Sequence, residues 1–237
     1  MSKISNPFTF PTASGFGSSL AISPISHVGE PLDLSAIWDS SIQIIFKNLS
    51  KKEHENTKIR ALEELSNVID DVPEKEIDEG VLSAWVGMPL SVSKVPVAKP
   101  PQMQLYPRLS VDYSKRVRQL THTLHGTICS ANKKKVARFM PHIIGPWLCG
   151  TYDNDRTVSK AARESLIKTF GLEKLKKVWE VYHTDILAYS TNIVEREQVY
   201  TLSSEVQGKN AEEAEAKFAR VIGACISAVR HILSQWK

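Results

Sequence analysis

One pattern recurs in this chain after 41 residues, and it constrains the fold more than any single residue does. Asp112 lies five positions before Val117, and Asp153 lies five positions before Val158. Each valine begins a stripe of apolar residues spaced three or four apart, which is the spacing of one buried helix face. A helical pattern that repeats at this distance predicts stacked helix pairs, because a single pair cannot bury its apolar face alone.

The period predicts an all-α fold, namely a helical repeat solenoid of the HEAT or armadillo type. Such repeats are about 40 to 47 residues long. The chain has 237 residues, which is enough for about five helix pairs. A solenoid offers an extended surface rather than an enclosed pocket, so we expect a protein that holds a partner and does not convert a substrate.

The amino-terminal 30 residues differ in composition from the rest. Residues 1–30 are rich in Ser, Pro and Gly and show no period of a helix or a strand, which predicts an extended arm. Phe8, Phe10 and Phe16 would dock this arm onto the body; a disordered tail is the alternative. The helical repeat domain then covers residues 31–237.

Two features interrupt or end the helical domain. Five prolines lie between residues 89 and 107, and we interpret residues 89–105 as an insertion that forms a loop on one face of the array. The last apolar helix, after about residue 210, has no polar closing unit, so we expect the natural protein to continue.

Composition favours a cytosolic protein. The net charge of +4 fits an acidic partner without requiring one. Cys129, Cys149 and Cys225 are far apart in apolar helical stretches, which predicts buried free thiols in a reducing compartment. The sequence shows neither a signal peptide at its start nor a run of about 18 apolar residues, so we expect no contact with a membrane.

No motif in the sequence indicates catalysis or a bound cofactor. The patterns GxGxxG, GxxxxGK[ST], GxSxG and HExxH do not occur. His122 and His125 lack a third metal ligand at the spacing of known zinc sites. Asp153 and Asp155 fit helix capping better than a pair of catalytic carboxylates. We therefore expect neither an active site nor a metal site in this chain.

Clusters of basic residues are the best candidates for binding. Lysines end the first predicted helix, and Lys133, Lys134 and Lys135 precede another. In a stack of helix pairs the turns share one edge, so these clusters would merge into a band suited to phosphates. The alternative is that they form solvated turns. The five tryptophans fall on or beside apolar stripes, where core packing is the expected role.

Several segments, taken together, resemble the listerin family, whose members are ribosome-associated E3 ubiquitin ligases. They occur in the order found in the fungal members and span nearly the whole chain. The segments are Gly15–Ser19, Leu49–Lys52, Thr57–Leu65, Trp85, Tyr106–Leu109, Asp112–Arg118, Pro146–Leu148 and Glu215–Val221. The proline-rich residues 89–105 depart from the family pattern.

The resemblance implies the amino-terminal domain of a much longer helical protein whose catalytic RING lies at the far carboxyl end. A RING needs eight Cys or His ligands for two zinc ions, so zinc and a ubiquitin-conjugating enzyme would bind there and not to this fragment, which is not itself an enzyme. In the family, this domain anchors the ligase to the large (60S) ribosomal subunit that carries a stalled nascent chain, beside the NEMF-family factor, in the cytosol.

For this chain we expect the binding edge to contain residues near the end of the first helix. They are Ser50, Lys51, Lys52, Thr57 and Lys58, with Arg116, Arg118, Lys133, Lys134 and Lys135 as a second candidate group. Two other functions remain open from the sequence. One is a HEAT-repeat adaptor or transport receptor that does not bind ribosomes, and the other is a HEAT-like DNA glycosylase.

Overall fold

The structure, a computed structural model, describes residues 25, 32, 34–51, 54–71, 77–87, 104–203 and 211–235. Over these residues the regular secondary structure is helical, with no strand, which confirms the predicted all-α class. The predicted arm lies outside the described residues except for Ile25, which is buried. The predicted insertion lies outside them up to residue 103.

The helices follow one another along the chain with short connections where the structure describes them. In order, they are α1 (Ser40–Ser50), α2 (Glu55–Asp71), α3 (Glu79–Val86), α4 (Leu105–Leu109), α5 (Lys115–Ala131), α6 (Lys133–Val136), α7 (Met140–Gly150), α8 (Arg156–Phe170), α9 (Leu175–Arg196), α10 (Val199–Leu202) and α11 (Ala211–Ser234). Short 3-10 turns at Ala137–Phe139 and Leu172–Lys174 precede α7 and α9.

The helices pack in two layers, as a helical repeat fold requires. Helices α2, α5 and α8 lie side by side in one layer, and α4, α7, α9 and α11 form the other. Within the first layer, α5 and α8 share the most extensive interface. A Cβ atom placed on Gly126 of α5 would lie 2.5 Å from Cβ of Ser165 on α8, so glycine permits this close approach.

Side-chain caps fix where several helices begin. The Asp39 carboxylate accepts a hydrogen bond from the backbone N–H of Ser41 at 2.8 Å, so α1 begins at Ser40. The Asp155 carboxylate accepts from Thr157 N at 2.8 Å and caps α8 in the same way. Aspartate is a favoured residue at this position because it satisfies N–H groups that have no partner within the helix.

Two prolines, Pro141 and Pro146, occupy different places in the segment from Val136 to Leu148. The 3-10 turn ends at Phe139, and α7 begins at Met140 with Pro141 in its first turn, where a missing N–H costs little. Pro146 lies inside α7 and is buried. One proline therefore begins a helix here, and the other is accommodated within it.

A polar and aromatic cluster occupies the centre of the core. The indole N–H of Trp85 donates to Nδ1 of His125 at 3.2 Å, and the Tyr106 ring stacks on His125 with 3.5 Å between centroids. The Trp147 ring contacts His125 edge-on, and its N–H donates to Ser165 Oγ at 2.6 Å. His125 is thus a buried core residue whose neighbours are aromatic rings.

The tryptophan predictions are confirmed at three positions and wrong at one. Trp85, Trp147 and Trp179 are buried. Trp38 is 94% exposed, because α1 begins two residues after it and its side chain precedes the helical stripe to which it was assigned. Trp236 lies outside the described residues.

None of the helices in the described ranges combines the length and the apolar composition needed to cross a bilayer.

Candidate functional site

Buried ion pairs join successive repeats along one edge of the fold. Lys58 of α2 contacts Asp112, just before α5, at 2.7 Å. Arg118 of α5 donates from Nε and Nη2 to the carboxylate of Asp153, just before α8, at 2.8 and 3.0 Å. The 41-residue period therefore reflects a series of ion pairs, in which each aspartate pairs with a cation on the helix of the preceding repeat. We call these residues the ion-pair ladder.

Helix α11 extends this ladder back toward the middle of the domain. Arg220 donates to Asp153 at 3.3 Å and to the carbonyl oxygens of Val111 and Asp112 at 3.1 and 3.0 Å. Arg118 also donates to the Asp112 carbonyl at 2.9 Å. The guanidinium groups of Arg118 and Arg220 thus hold the backbone of the loop between α4 and α5 in place.

Two of the predicted binding residues belong to the ion-pair ladder. The Lys58 side chain is 8% exposed and that of Arg118 is 4% exposed. Burying a cation is favourable only when it is paired and hydrogen-bonded, and both side chains are held by aspartates. Both charges are therefore paired inside the fold, and a role of these two residues in binding stays a prediction.

A small basic cleft opens beside the ladder, where the end of α1, the short α4 and the start of α11 meet. Its volume is about 390 Å³ with the open mouth included. Its lining residues are Leu49, Ser50, Lys51, Lys58, Leu105, Arg108, Leu109, Asp112, Tyr113 and Lys217. The structure therefore brings Ser50, Lys51 and Lys58 together, as expected for one edge. We call this feature the basic cleft.

Among the described residues that line the basic cleft, Lys51, Lys58, Arg108 and Lys217 are cationic and Asp112 is a carboxylate. Burial lowers the pKa of Lys217 to about 7, and Arg220, Lys58 and Arg108 lower it further by repulsion while Asp112 opposes the change. Burial also lowers the pKa of Arg108, again against Asp112. The cations here are held in an environment that disfavours their charge.

Lys217 is positioned by contacts on two sides. Its ammonium group donates to the carbonyl oxygen of Leu202 at 2.7 Å, which connects α11 to the end of α10. It also lies 4.5 Å from the centroid of the Tyr113 ring, within the range of a cation–π contact. Tyr113 is itself 43% exposed, so part of this residue faces solvent beside the cleft.

Sequence reasoning did not assign Arg108, Tyr113 or Lys217 to the site. All three lie in segments that carry the family resemblance, namely Tyr106–Leu109, Asp112–Arg118 and Glu215–Val221. The resemblance could therefore have indicated them. Periodicity could not, because Lys217 is about 100 residues from the other two in sequence and reaches them only through the packing of α11.

The remaining predicted residues that the structure describes lie apart from the cleft. Thr57 is half-buried in the first turn of α2, and Lys52 lies outside the described residues. Arg116 pairs with Glu63 at 3.5 Å on the surface, with both side chains 49% exposed. Lys133 and Lys134 are exposed, and Lys135 donates to the Ile77 carbonyl at 3.3 Å. None of the described residues in this group lines the basic cleft, and the role of the whole group in binding stays a prediction.

The predicted buried thiols are confirmed, and the histidines lie in the core. Cys129, Cys149 and Cys225 are all buried, with 3.9 Å between the sulfur atoms of Cys149 and Cys225. Burial lowers the pKa of His122 to about 4. Across the described residues, no three His, Cys, Asp or Glu side chains are grouped as metal ligands.

Comparison with known proteins identifies the family. The family model described as the amino-terminal domain of the E3 ubiquitin-protein ligase listerin matches residues 35–89 and 100–237. This chain belongs to the listerin family. A listerin from Neurospora crassa is 32% identical over 221 residues, which is 92% of this chain and 12% of that protein. The resemblance seen in the sequence is thus confirmed.

Listerins from other organisms match over a similar extent. That of Schizosaccharomyces pombe is 32% identical over 213 residues, or 90% of this chain, and that of Gallus gallus is 27% identical over 229 residues, or 95%. This chain spans 12% of the length of each of these two relatives. The family model skips residues 90–99, which lie within the proline-rich stretch interpreted as an insertion.

Proposed function

We propose that this chain is the ribosome-docking, amino-terminal domain of a listerin E3 ubiquitin ligase that ubiquitinates stalled nascent chains on the large ribosomal subunit. Family membership supports the ligase, because the family model matches nearly the whole chain and the relatives are named E3 ubiquitin-protein ligases. The observation that supports docking is the basic cleft, which groups cations at one edge of a helical array.

The cleft has the character expected of a contact with a large, negatively charged particle. Lys51 is exposed at the end of α1, and Lys47 in the last turn of the same helix is also exposed. Cations on a surface give affinity for phosphates without reading base sequence. A docking domain needs this kind of contact, since it must bind every large subunit irrespective of the nascent chain.

Rigidity is the second property that supports docking. The ion-pair ladder joins α2 to α5 and α5 to α8, and Arg220 joins α11 to the same loop. Because each element of a packed array is fixed to its neighbours, holding one edge constrains the position of everything that follows. In our proposal the domain sets the reach of a RING that lies outside these 237 residues and recruits the ubiquitin-conjugating enzyme.

Docking would occur in the cytosol, beside a NEMF-family factor on the same subunit. Arg116 and Lys133–Lys135 are candidates for the surface that contacts this factor. Arg116, Lys133 and Lys134 are exposed, and they lie away from the basic cleft.

Co-sedimentation with purified large ribosomal subunits tests the proposal. The double variant Lys51→Glu, Lys52→Glu reverses two charges at the end of α1, and we expect it to weaken binding about tenfold and to reduce the dependence on salt. The matched control is Lys176→Glu, Lys177→Glu, which reverses two exposed lysines on α9. Circular dichroism checks that the helical fold of both variants is unchanged.

The outcomes separate docking from the alternatives. Loss of co-sedimentation in the first variant, with binding retained in the control, supports docking through this edge. If the unmodified chain does not sediment with large subunits at low salt, the docking proposal is wrong. In that case a HEAT-repeat adaptor that binds protein partners would be the better description.

A further inference from the structure

We propose that the outward face of α11 is the surface against which the next helix of a longer listerin polypeptide packs. We call this face the outer seam, and it consists of Ala219, Ile222, Ile226, Val229 and Leu233. The inference uses the family to which the chain belongs and does not depend on docking to the ribosome.

Helix α11 has two apolar faces, although one is enough to hold it in this domain. Its inner face includes Val221, Ala228 and Ile232, which are buried, and the helix packs on α7 and α9. The outer seam repeats at intervals of four, three and four residues from Ile222 to Leu233. This is the spacing by which one helix contacts another, so the sequence of α11 encodes contacts with helices on both sides.

The outer seam is open to solvent in this chain. Ile226 is 57% exposed and Leu233 is 58% exposed, while Ile222 and Val229 are partly exposed between them. Single exposed apolar residues are common on protein surfaces and need no explanation. Four of them in register along one helix form a continuous apolar row, which is the form of an unpartnered packing surface.

Helix α8 shows what an exposed helix face in this fold otherwise contains. Its exposed residues at the same spacing are Arg156, Lys160 and Arg163. Charged side chains suit a face that stays in water. The contrast indicates that the apolar composition of the outer seam is specific to α11 and not a general property of these helices.

Gly223 adds a second sign of a neighbour beside the outer seam. A Cβ on Gly126 would lie 2.5 Å from Ser165 on α8, and a Cβ on Gly145 would lie 2.6 Å from Tyr189 on α9, so these glycines permit close helix packing. A Cβ on Gly223 would meet no atom of the described residues within 4 Å. Glycine is unfavourable inside a helix, and close approach of a further helix would account for it here.

The extent of the relatives indicates which helix this is. The chain spans 12% of the listerins of Neurospora crassa and Schizosaccharomyces pombe, and the matching family model describes an amino-terminal domain. Most of the polypeptide in those relatives therefore follows the part that corresponds to α11. Helical repeats bury their apolar faces on the next repeat in the chain, so the following repeat is the expected occupant.

The size of the outer seam favours a helix of the same polypeptide over a second copy of the protein. Helix α11 has 24 residues and is about 36 Å long. A stable interface between separate proteins involves about 20–30 residues on each side, whereas the outer seam offers a single row. Separate molecules also lose translational and rotational freedom when they associate, a cost that a covalently connected helix avoids.

The first test measures maleimide labelling of an introduced cysteine in the full-length ligase, with mass spectrometry of the labelled peptide. Ile226→Cys reports on the outer seam. Its matched control is Ile44→Cys on α1, because Ile44 is 58% exposed, and the three native cysteines of this chain are buried. In the full-length ligase we expect Ile226→Cys to react at least about tenfold more slowly than Ile44→Cys. Equal rates would overturn the inference.

The second test identifies the neighbour with a photo-crosslinking amino acid at position 226 of the full-length ligase. We expect the cross-linked peptide to lie within about 50 residues after residue 237, which is the length of one repeat. A mixture of isotopically labelled and unlabelled ligase shows whether the link joins two molecules. Links between molecules, or to a remote segment of the same molecule, would contradict the proposal.

The third test asks whether the neighbouring helix approaches Gly223. Gly223→Leu places a side chain where this chain alone has open space, so thermal unfolding of the 237-residue chain should not begin at a lower temperature. In the full-length ligase the leucine should push the next helix away and accelerate labelling of Ile226→Cys. Unchanged labelling would refute the close approach.

The same measurements separate this inference from ribosome docking. If Ile226→Cys becomes protected only after large subunits are added, the outer seam is a ribosome contact and the inference is wrong, while docking stands. If the position is protected in the free ligase and the ligase does not bind large subunits, the inference stands and the docking proposal fails.

Discussion

The ion-pair ladder predicts a large and specific loss of stability in the Asp153→Asn variant. Asp153 holds Arg118 through two hydrogen bonds and Arg220 through a third, and its side chain is 4% exposed. Asparagine has nearly the same shape as aspartate. Its side-chain oxygen can still accept the hydrogen bond that the backbone N–H of Asp155 donates to Asp153 at 2.9 Å. The substitution therefore removes the charge with little change in packing.

The expected loss in the free energy of unfolding follows from the guanidinium groups that remain buried in the folded variant. Two buried guanidinium groups would lose their shared carboxylate, and removing one partner from a buried ion pair costs about 3–5 kcal/mol. For a matched control, Glu63→Gln breaks the pair with Arg116, in which both side chains are 49% exposed. Exposed pairs contribute only about 0–1 kcal/mol, so this variant should be near neutral.

Urea unfolding followed by circular dichroism measures both variants. The expected result is a clear drop in the transition midpoint for Asp153→Asn, little change for Glu63→Gln, and little effect of added salt on the difference, because salt screens buried pairs weakly. A loss below about 1 kcal/mol for Asp153→Asn would refute the idea that the ladder holds the repeats together.

Three further predictions follow from the core. Gly126→Ala should destabilise the fold by about 1–3 kcal/mol in thermal unfolding, because a Cβ there would lie 2.5 Å from an atom of the neighbouring helix. Gly223→Ala, where a Cβ would have nothing within 4 Å, should stabilise the fold by about 0.5–1 kcal/mol. Similar effects of the two substitutions would contradict this reasoning. Burial lowers the pKa of His122 to about 4 in the folded state, while the pKa in the unfolded chain is about 6.5. The folded state therefore has its full stability above about pH 6.5, where His122 is neutral in both states. About 3 kcal/mol of this stability is lost as the pH falls to about 4, because the unfolded state binds the proton more tightly. His122→Gln should flatten that part of the pH profile, and an unchanged profile would exclude this cause. Trp85→Ala should cost about 3–5 kcal/mol in urea unfolding, whereas Trp38→Ala, at a position that is 94% exposed, should change stability by no more than about 0.5 kcal/mol.

Local spacing was sufficient to predict the all-α class and the repeat. The distance between Asp112 and Asp153 reflects one structural unit, because each aspartate precedes a helix of the same layer and pairs with the preceding repeat. The cap of α8 by Asp155 was also predictable, since it depends on residues two and three positions away. Interactions of this kind are encoded in short segments.

The composition of the site could not be predicted in the same way. A lysine or arginine in a sequence has the same identity whether it is exposed or buried in an ion pair, so the sequence could not show that Asp112 and Asp153 hold the charges of Lys58 and Arg118 inside the fold. Lys217 joins the cleft because α11 packs back toward the loop that follows α4, and that packing has no signal in local spacing. Trp38 was misplaced because the helix begins at Ser40 and not earlier.

The most direct test of docking through the basic cleft is a cryo-EM map of the full-length ligase on large ribosomal subunits that carry a stalled nascent chain. We predict density for ribosomal RNA against the edge of the domain that carries Lys47, Lys51 and the mouth of the basic cleft. A map in which this domain contacts the subunit through another face, with the cleft open to solvent, would contradict the account.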